Sequence, residues 1–394
     1  MPVSELRVAL FTDTYAPQMN GVARTLARVA GAIRQRGGAV RVFTTTDPRA
    51  PASSDVVRYP SIACPLYGEL RLAAPHAATI AHELARFRPS IVHIATPFGV
   101  GLAARSAARR LGLPCVTSYH TSFAAYARYY GLGPLHGAAW RYLRWFHNSG
   151  LRTLAPTHAV QTELESHGFE RVSVWGRGVD RTRFTSAKRS RVMRLRVGAN
   201  DGDLIVAYVG RIAKEKGLED MLEAAGELHH SNRRIVFAFA GDGPFLDECR
   251  RRAPANCFFA GRLEGDDVAM FFASADMFVF PSTTDTFGNV LIEAMASALP
   301  VLAADTVSSR EVLGDAGEFY VAGKGHALAR LIHANAGDPH GRRHLAAASL
   351  RRAADFDWDV VTEQLIAVYE CVRYPATASL AGVRRYRTAT SLCC

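Results

Sequence analysis

The chain has no apolar run approaching the ~20 residues that a helix needs to cross a bilayer. It has seven cysteines, an odd number with no Cys-x-x-Cys pair, which argues against both a disulfide framework and a zinc site. Lysine is scarce: of 47 cationic side chains only Lys188, Lys214, Lys216 and Lys324 are lysines. The HExxH, GxSxG and P-loop signatures are missing, so zinc peptidase, serine hydrolase and P-loop chemistries lack their marks. No GxGxxG dinucleotide fingerprint follows the first strand either. The opening MPVSELRVALFTDTY carries one short apolar burst, which reads as a buried strand and not as a signal peptide. A soluble, cytoplasmic chain of a reducing compartment is expected.

What is present is enough for two cores. The 394 residues exceed one ordinary domain, and 48% of them are apolar. With 21% charged residues and a mean hydropathy near zero, the chain is neither disordered nor collagen-like. The net charge of +11 is unevenly spread. Residues 1–190 hold 24 Lys and Arg against 10 Asp and Glu, while residues 191–394 hold 23 against 26. A half-molecule asymmetry points to an anionic partner for the first half, with a solvated basic face as the plainer alternative.

Short apolar runs alternate with helical stretches. RVALFTD (7–13), AVRVFTT (39–45), SIVHIAT (90–96) and PCVTSYHT (114–121) read as strands, with helices over 22–37 and 100–112. DLIVAYVGR (203–211), RIVFAFAG (234–241), ADMFVFPS (275–282) and LPVLAAD (299–305) repeat the rhythm, with helices from Leu218, Phe245 and Val290. Such alternation means parallel sheets covered on both faces. Two Rossmann-like doubly wound domains facing each other are expected, with a polar, basic seam at 179–203. Ligands of such sheets bind beyond the carboxyl ends of the strands, so the loops there hold the candidates.

PSTTDTFGNVLIEAMASALP (281–300) is the richest of these loops. Gly288 permits close backbone approach, Asn289 is a suitable cap, and a helix start can bind phosphate. Asp285 and Glu293 bracket this turn and could hold sugar or ribose hydroxyls; an ordinary capped helix is the alternative. VGRIAKEKG (209–217) puts Arg211 and Lys216 in one loop, where two cations can neutralise a diphosphate. In TDTYAPQMNGVART (12–25), Gly21 lets a helix start approach an anion, and SYHTSF (118–123) sets His120 at a strand end. A lone histidine is more often structural. AGDGP (240–244) and Asp201-Gly202-Asp203 read as turns, the latter not as a metal-binding DxD.

Together these segments resemble the retaining glycosyltransferases of family 4, of GT-B architecture. FTDTYAPQMNGVARTL, PSIVHIATPFGVGLAARSAARRLGLP, SYHT, WGRGVDRTRF, VGRIAKEKG, AGDGP, FFAGRL, PSTTDTFGNVLIEAMASALPV and SREVLGD stand in the family's order from residue 7 to about residue 373. The first-half pieces, with WRYLRWFHN, look most like GDP-mannose-dependent α-mannosyltransferases.

The resemblance implies a hexosyltransferase that needs no metal or cofactor beyond its nucleotide-sugar donor. It implies an acceptor-side domain over 1–190, a donor domain over 191–355 and a helix over 356–373 crossing back to the first domain. The tail from 374 to 394 is expected to be disordered. Arg211 and Lys216 match the family's phosphate-binding pair. Glu293 matches the second acid of its E-x7-E motif, which holds the ribose, and Asp285 stands at the first, near the donor sugar. Backbone from Phe287 through Gly288, Asn289 and Val290 to Leu291 would meet sugar and diphosphate. The base would lie against Arg262 and Leu263, while His120 and Gly21 would reach the donor from the first domain.

This chain departs from the pattern in three places. Asp285 is glutamate in much of the family, DTVSSREV (305–312) replaces a frequent Gly-Gly-Pro, and Ala298 replaces a frequent glycine. Open alternatives are a UDP-sugar-dependent hexosyltransferase, an epimerase or phosphorylase on the same fold, and a degenerate nucleotide-sugar-binding scaffold. The expected acceptor is a lipid-linked or glycan molecule of glycolipid or polysaccharide biosynthesis, with no nucleic acid partner. Loops around 12–25, 64–76 and 119–135 are its candidate contacts. FAAYARYYGLGPLHGAAWRYLRWFHN (123–148) reads equally as a membrane-facing amphipathic helix, which would make the chain peripheral on an anionic membrane, or as a buried helix.

Overall fold

The computed structural model describes residues 3–18, 20–64, 67–122, 136–229 and 234–374. The tail beyond Tyr374 and residues 123–135 of the aromatic, basic stretch lie outside the described residues. The chain divides into two compact units that change over at Gly176 and Arg177, ahead of the polar seam at 179–203. The residues from Asp359 onward belong to the first unit.

In the first unit β1 (Arg7–Phe11), β2 (Ala39–Thr45), β3 (Val56–Tyr59), β6 (Ile91–Ile94), β7 (Cys115–Ser118), β8 (Arg152–Ala155) and β9 (Val172–Val174) form one sheet. A separate antiparallel ribbon pairs β4 (Ser61–Cys64) with β5 (Tyr67–Ala73). The sheet order is β3-β2-β1-β6-β7-β8-β9, and every pairing is parallel. Phe11 sits in register with Phe43, and their rings stack at 4.4 Å. Helices Ala77–Phe87 and Gly99–Arg110 cover this face with Ile80, Leu84, Val100 and Ala104.

In the second unit β10 (Leu204–Val209), β11 (Ile235–Ala240), β12 (Cys257–Gly261), β13 (Met277–Phe280), β14 (Val301–Ala304) and β15 (Gly317–Tyr320) pair in the order β12-β11-β10-β13-β14-β15, again all parallel. The alternation of side chains along a strand sorts this core into two layers. Ile205, Ala207, Val236, Ala238, Phe278 and Phe280 pack under helices Asp266–Ser274 and Asn289–Ala296. Leu204, Val206, Phe237, Phe239, Met277 and Val279 pack under Leu218–Leu228 and Gly325–Gly337. A sheet buried on both faces reads as continuous apolar runs, which is why IVFAFA and MFVF stood out in the sequence.

The last helix, Trp358–Arg373, buries Val361, Leu365, Val368 and Tyr369. Its carbonyl at Val361 accepts the indole N–H of Trp175, which follows β9. No helix among the described residues is long and apolar enough to cross a membrane.

Candidate functional site

Both sheets reverse strand order once, between β1 and β6 in the first unit and between β10 and β13 in the second. At such a reversal the helices after the two central strands go to opposite faces, leaving a crevice at the strands' carboxyl ends. The loops after β10 and β13 carry Arg211 and Lys216 on one side and Asp285 and Gly288 on the other, so the sheet order brings the strongest candidates together.

Contacts in the second unit join these two loops. Lys216 Nζ donates to both Asp285 carboxylate oxygens at 2.8 Å. Thr284 Oγ1 donates to the Glu215 carbonyl at 3.2 Å. Gly217 is left-handed, with φ of 68°, and a Cβ there would lie 2.5 Å from the Pro281 carbonyl oxygen. The turn closing the first loop therefore abuts the start of the second, and only glycine fits. Arg211 Nη1 donates to Glu215 Oε1 at 3.3 Å, and its own carbonyl accepts the Tyr208 hydroxyl at 2.7 Å. Burial raises the Tyr208 pKa, so that hydroxyl stays protonated as a donor. Glu215 is buried. A buried carboxylate beneath Arg211 both anchors the guanidinium and needs it for charge balance.

The second loop ends at Gly288, which occupies the N-cap of helix Asn289–Ala296 with φ of 79°. The expectation that Asn289 caps this helix is corrected: Asn289 is its first residue, and no side chain caps it. A Cβ at Gly288 would meet the Phe280 ring at 2.7 Å, so the close approach is enforced by packing beneath the loop. Phe287 and Leu291 are buried in the core, Val290 is partly buried against it, and Glu293 is buried one turn into the helix.

The C-terminus of this helix explains one departure noted in the sequence. Ala298 has φ of 60°, its N–H donates to Met295 O, and Leu299 N–H donates to Ala294 O. This is a Schellman closure, whose left-handed position favours glycine. Within the second departure, 305–312, the chain starts helix Val307–Leu313 with a capping box: Thr306 Oγ1 accepts from Ser309 N, and Ser309 Oγ accepts from Thr306 N.

Arg262 and Leu263 follow β12, two strands from β10. Leu263 packs on the core and Arg262 Nε pairs with Glu264 at 2.9 Å.

In the first unit Gly21 is the first residue of helix Gly21–Gln35, capped by the Asn20 side chain accepting from Ala23 N. His120, just past β7, has its Nε2 2.8 Å from Ser118 Oγ, and its ring meets Trp175 edge-on at 6.0 Å. Sequence reasoning missed Asp13, which sits at the reversal of this sheet. Asp13 accepts from Thr96 Oγ1 at 2.6 Å and from Val100 N at 3.2 Å, and burial raises its pKa to about 6. Its position directly after an apolar strand was the available signal. Glu215 was missed as well, one residue from Lys216. Among the described residues no group of three or more His, Cys, Asp or Glu side chains is placed to hold a metal ion.

Comparison with known proteins agrees with the two-unit parallel α/β fold. Residues 19–183 match the model for glycosyltransferase family 4, and residues 191–350 match that for glycosyl transferases group 1. A GDP-mannose-dependent alpha-mannosyltransferase of Mycobacterium tuberculosis is 35% identical over 386 residues, covering 95% of this chain and 99% of the relative. One of the same description from Mycolicibacterium smegmatis is 34% identical, covering 93% and 98%. Among solved structures, a sucrose-phosphate synthase from Thermosynechococcus elongatus has a TM-score of 0.77 at 17% identity, covering 94% of this chain and all (100%) of that one.

Proposed function

The chain belongs to glycosyltransferase family 4, has the GT-B fold and is a hexosyltransferase; on that premise we propose that it moves mannose from GDP-mannose to a lipid-linked or glycan acceptor. The observation that carries this reading is the Lys216–Asp285 pair at the reversal of the second sheet, with Arg211 anchored on Glu215 in the same loop. Relatives sharing about a third of the residues over nearly the whole chain are described as using GDP-mannose.

The chemistry follows charge development. As the anomeric C–O bond breaks, the sugar becomes oxocarbenium-like and negative charge collects on the departing diphosphate. Arg211, Lys216 and the start of helix Asn289–Ala296 stabilise that charge more than they stabilise the bound donor, which is what lowers a barrier. Asp285 holds Lys216 in place and faces the sugar, and Glu293 takes the ribose. Arg262 and Leu263 border the base, while His120 and Gly21 serve the donor from the first unit. Family enzymes retain configuration, so the new C–O bond forms on the face the diphosphate leaves. The acceptor's proton then passes to the departing phosphate oxygen.

The acceptor is proposed to be presented at an anionic membrane surface. Helix His136–His147 supports this: Trp140 is buried, whereas Trp145 is half exposed with Arg105 stacked over it at 3.9 Å. Arg141 and Arg144 lie on the same helix.

A donor panel tests the proposal. GDP-mannose, GDP-glucose, UDP-glucose and UDP-galactose are each incubated with a lipid extract, and nucleotide release and sugar transfer are followed. GDP release with mannose entering the lipid or glycan fraction is expected. Turnover of UDP-glucose alone would overturn the donor assignment. Phosphate-dependent release of sugar phosphate would indicate a phosphorylase, and tight binding without turnover a scaffold.

A further inference from the structure

The first unit contains a chain of four polar side chains, three of which the reaction as described leaves unused. Tyr369 Oη on the last helix lies 2.6 Å from His93 Nδ1, and His93 Nε2 lies 2.8 Å from Ser118 Oγ. Ser118 Oγ lies 2.8 Å from His120 Nε2. Tyr369, His93 and Ser118 are each 1% exposed, and only His120, at the end of the chain, reaches partly into solvent. Three consecutive bonds therefore connect helix Trp358–Arg373 to the strand-end histidine.

We propose that Tyr369, His93 and Ser118 are positioning residues that fix the tautomer and ring orientation of His120. Polarity along the chain is set at its buried end. The Tyr369 hydroxyl has His93 Nδ1 as its hydrogen-bond partner, and a buried O–H must donate to avoid a desolvation loss. Tyr369 thus donates to Nδ1, which makes His93 the Nε2–H tautomer and the donor to Ser118. Ser118 in turn donates to His120 Nε2, so neutral His120 carries its proton on Nδ1. Burial raises the Tyr369 pKa, so its proton stays in place through the working range. Trp175 holds the two imidazoles laterally, meeting His93 at 5.8 Å and His120 at 6.0 Å, both near edge-on. Its indole N–H is tied to Val361 O, so the same helix that supplies Tyr369 also locks this ring. Such outer partners select the reactive nitrogen of a histidine, as hydrogen bonds to the far side of a ring generally do.

The inference rests on the proposal that His120 serves the donor, and the test separates the two. Tyr369→Phe and Ser118→Ala each remove only a hydroxyl, and both are measured with His120→Ala and with the Tyr369→Phe/His120→Ala double variant. Expected is a fall in kcat of about three- to tenfold for each hydroxyl variant, the scale of one hydrogen bond, with KM for the nucleotide sugar unchanged. In the His120→Ala background Tyr369→Phe should lower kcat no further, because its effect passes through His120. Imidazole nitrogen NMR should show His120 protonated on Nδ1 in the wild type and shifted toward Nε2 in Tyr369→Phe. A normal kcat for His120→Ala overturns the assignment of His120 beneath this inference. Impaired His120→Ala with normal kcat and an unchanged tautomer in Tyr369→Phe overturns the relay alone. Additive losses in the double variant also overturn it, since they would mark Tyr369 as a merely structural group.

Discussion

Gly217→Ala probes the junction on which the proposed donor site depends. The residue is left-handed, which costs a side-chain-bearing residue about 1–2 kcal/mol. Its Cβ would stand 2.5 Å from Pro281 O, a backbone atom just past the end of β13. Ordinary carbon–oxygen contact needs about 3.4 Å, so one loop must move by about 0.9 Å, with an overpacking cost of about 1–3 kcal/mol. Alanine stiffens the unfolded chain and returns about 0.4–1 kcal/mol. The net loss is about 3 kcal/mol, which for a unit of this size lowers Tm by about 6–12 °C. Activity should suffer more than stability. Lys216 precedes Gly217 directly, and a displacement near 1 Å in a positioned group costs about 100-fold in rate. Thermal unfolding and mannose transfer, the latter assayed well below the variant's Tm, are the measurements. Gly202→Ala is the control, because a Cβ there meets nothing within 4 Å. If Gly217→Ala matched Gly202→Ala in both Tm and turnover, the argument that these two loops are wedged together would be refuted.

Two further predictions concern stability. Ala298→Gly should raise stability by about 0.5–1 kcal/mol, the relief of a left-handed alanine less the added freedom of the unfolded chain, and a chemical denaturation midpoint that does not rise contradicts it. Asp13 is raised from 3.8 to about 6 by burial, against the lowering effect of its bonds from Thr96 and Val100. Its contribution to stability is therefore full below the unfolded value and is lost as pH rises through about 6, a change of about 3 kcal/mol. The stability of Asp13→Asn relative to wild type should accordingly increase by up to that amount between about pH 4 and pH 7, whereas parallel pH profiles would show that the carboxyl is not desolvated.

Much of the second unit was legible because its strands are buried on both faces. IVFAFA and LIVAYV are continuous apolar runs, and the helix start at Leu218 follows the glycine turn at Gly217 directly. Strands such as β3, β9 and β15 escaped notice since VVRY, VSV and GEFY are short and mix polar residues into the run. The loop candidates Arg211, Lys216 and Asp285 could be nominated from strand ends, but their meeting depends on strand order, which periodicity does not encode. Glu215 and Asp13 were passed over because buried carboxylates look like surface ones until burial is known. The chain from Tyr369 to His120 was out of reach for a different reason: it joins β6, β7 and the last helix, and only the folded unit brings them within hydrogen-bonding distance.

The central claim is that Lys216, steadied by Asp285, stabilises charge on the departing diphosphate more than it holds the donor. Lys216→Ala examined by single-turnover mannose transfer beside GDP-mannose binding tests it most directly. The account predicts a rate lower by about 100- to 1000-fold with a donor Kd weakened by less than about tenfold, the pattern of a group acting mainly in the transition state. A single-turnover rate near wild type, or a loss found wholly in the donor Kd, would contradict it.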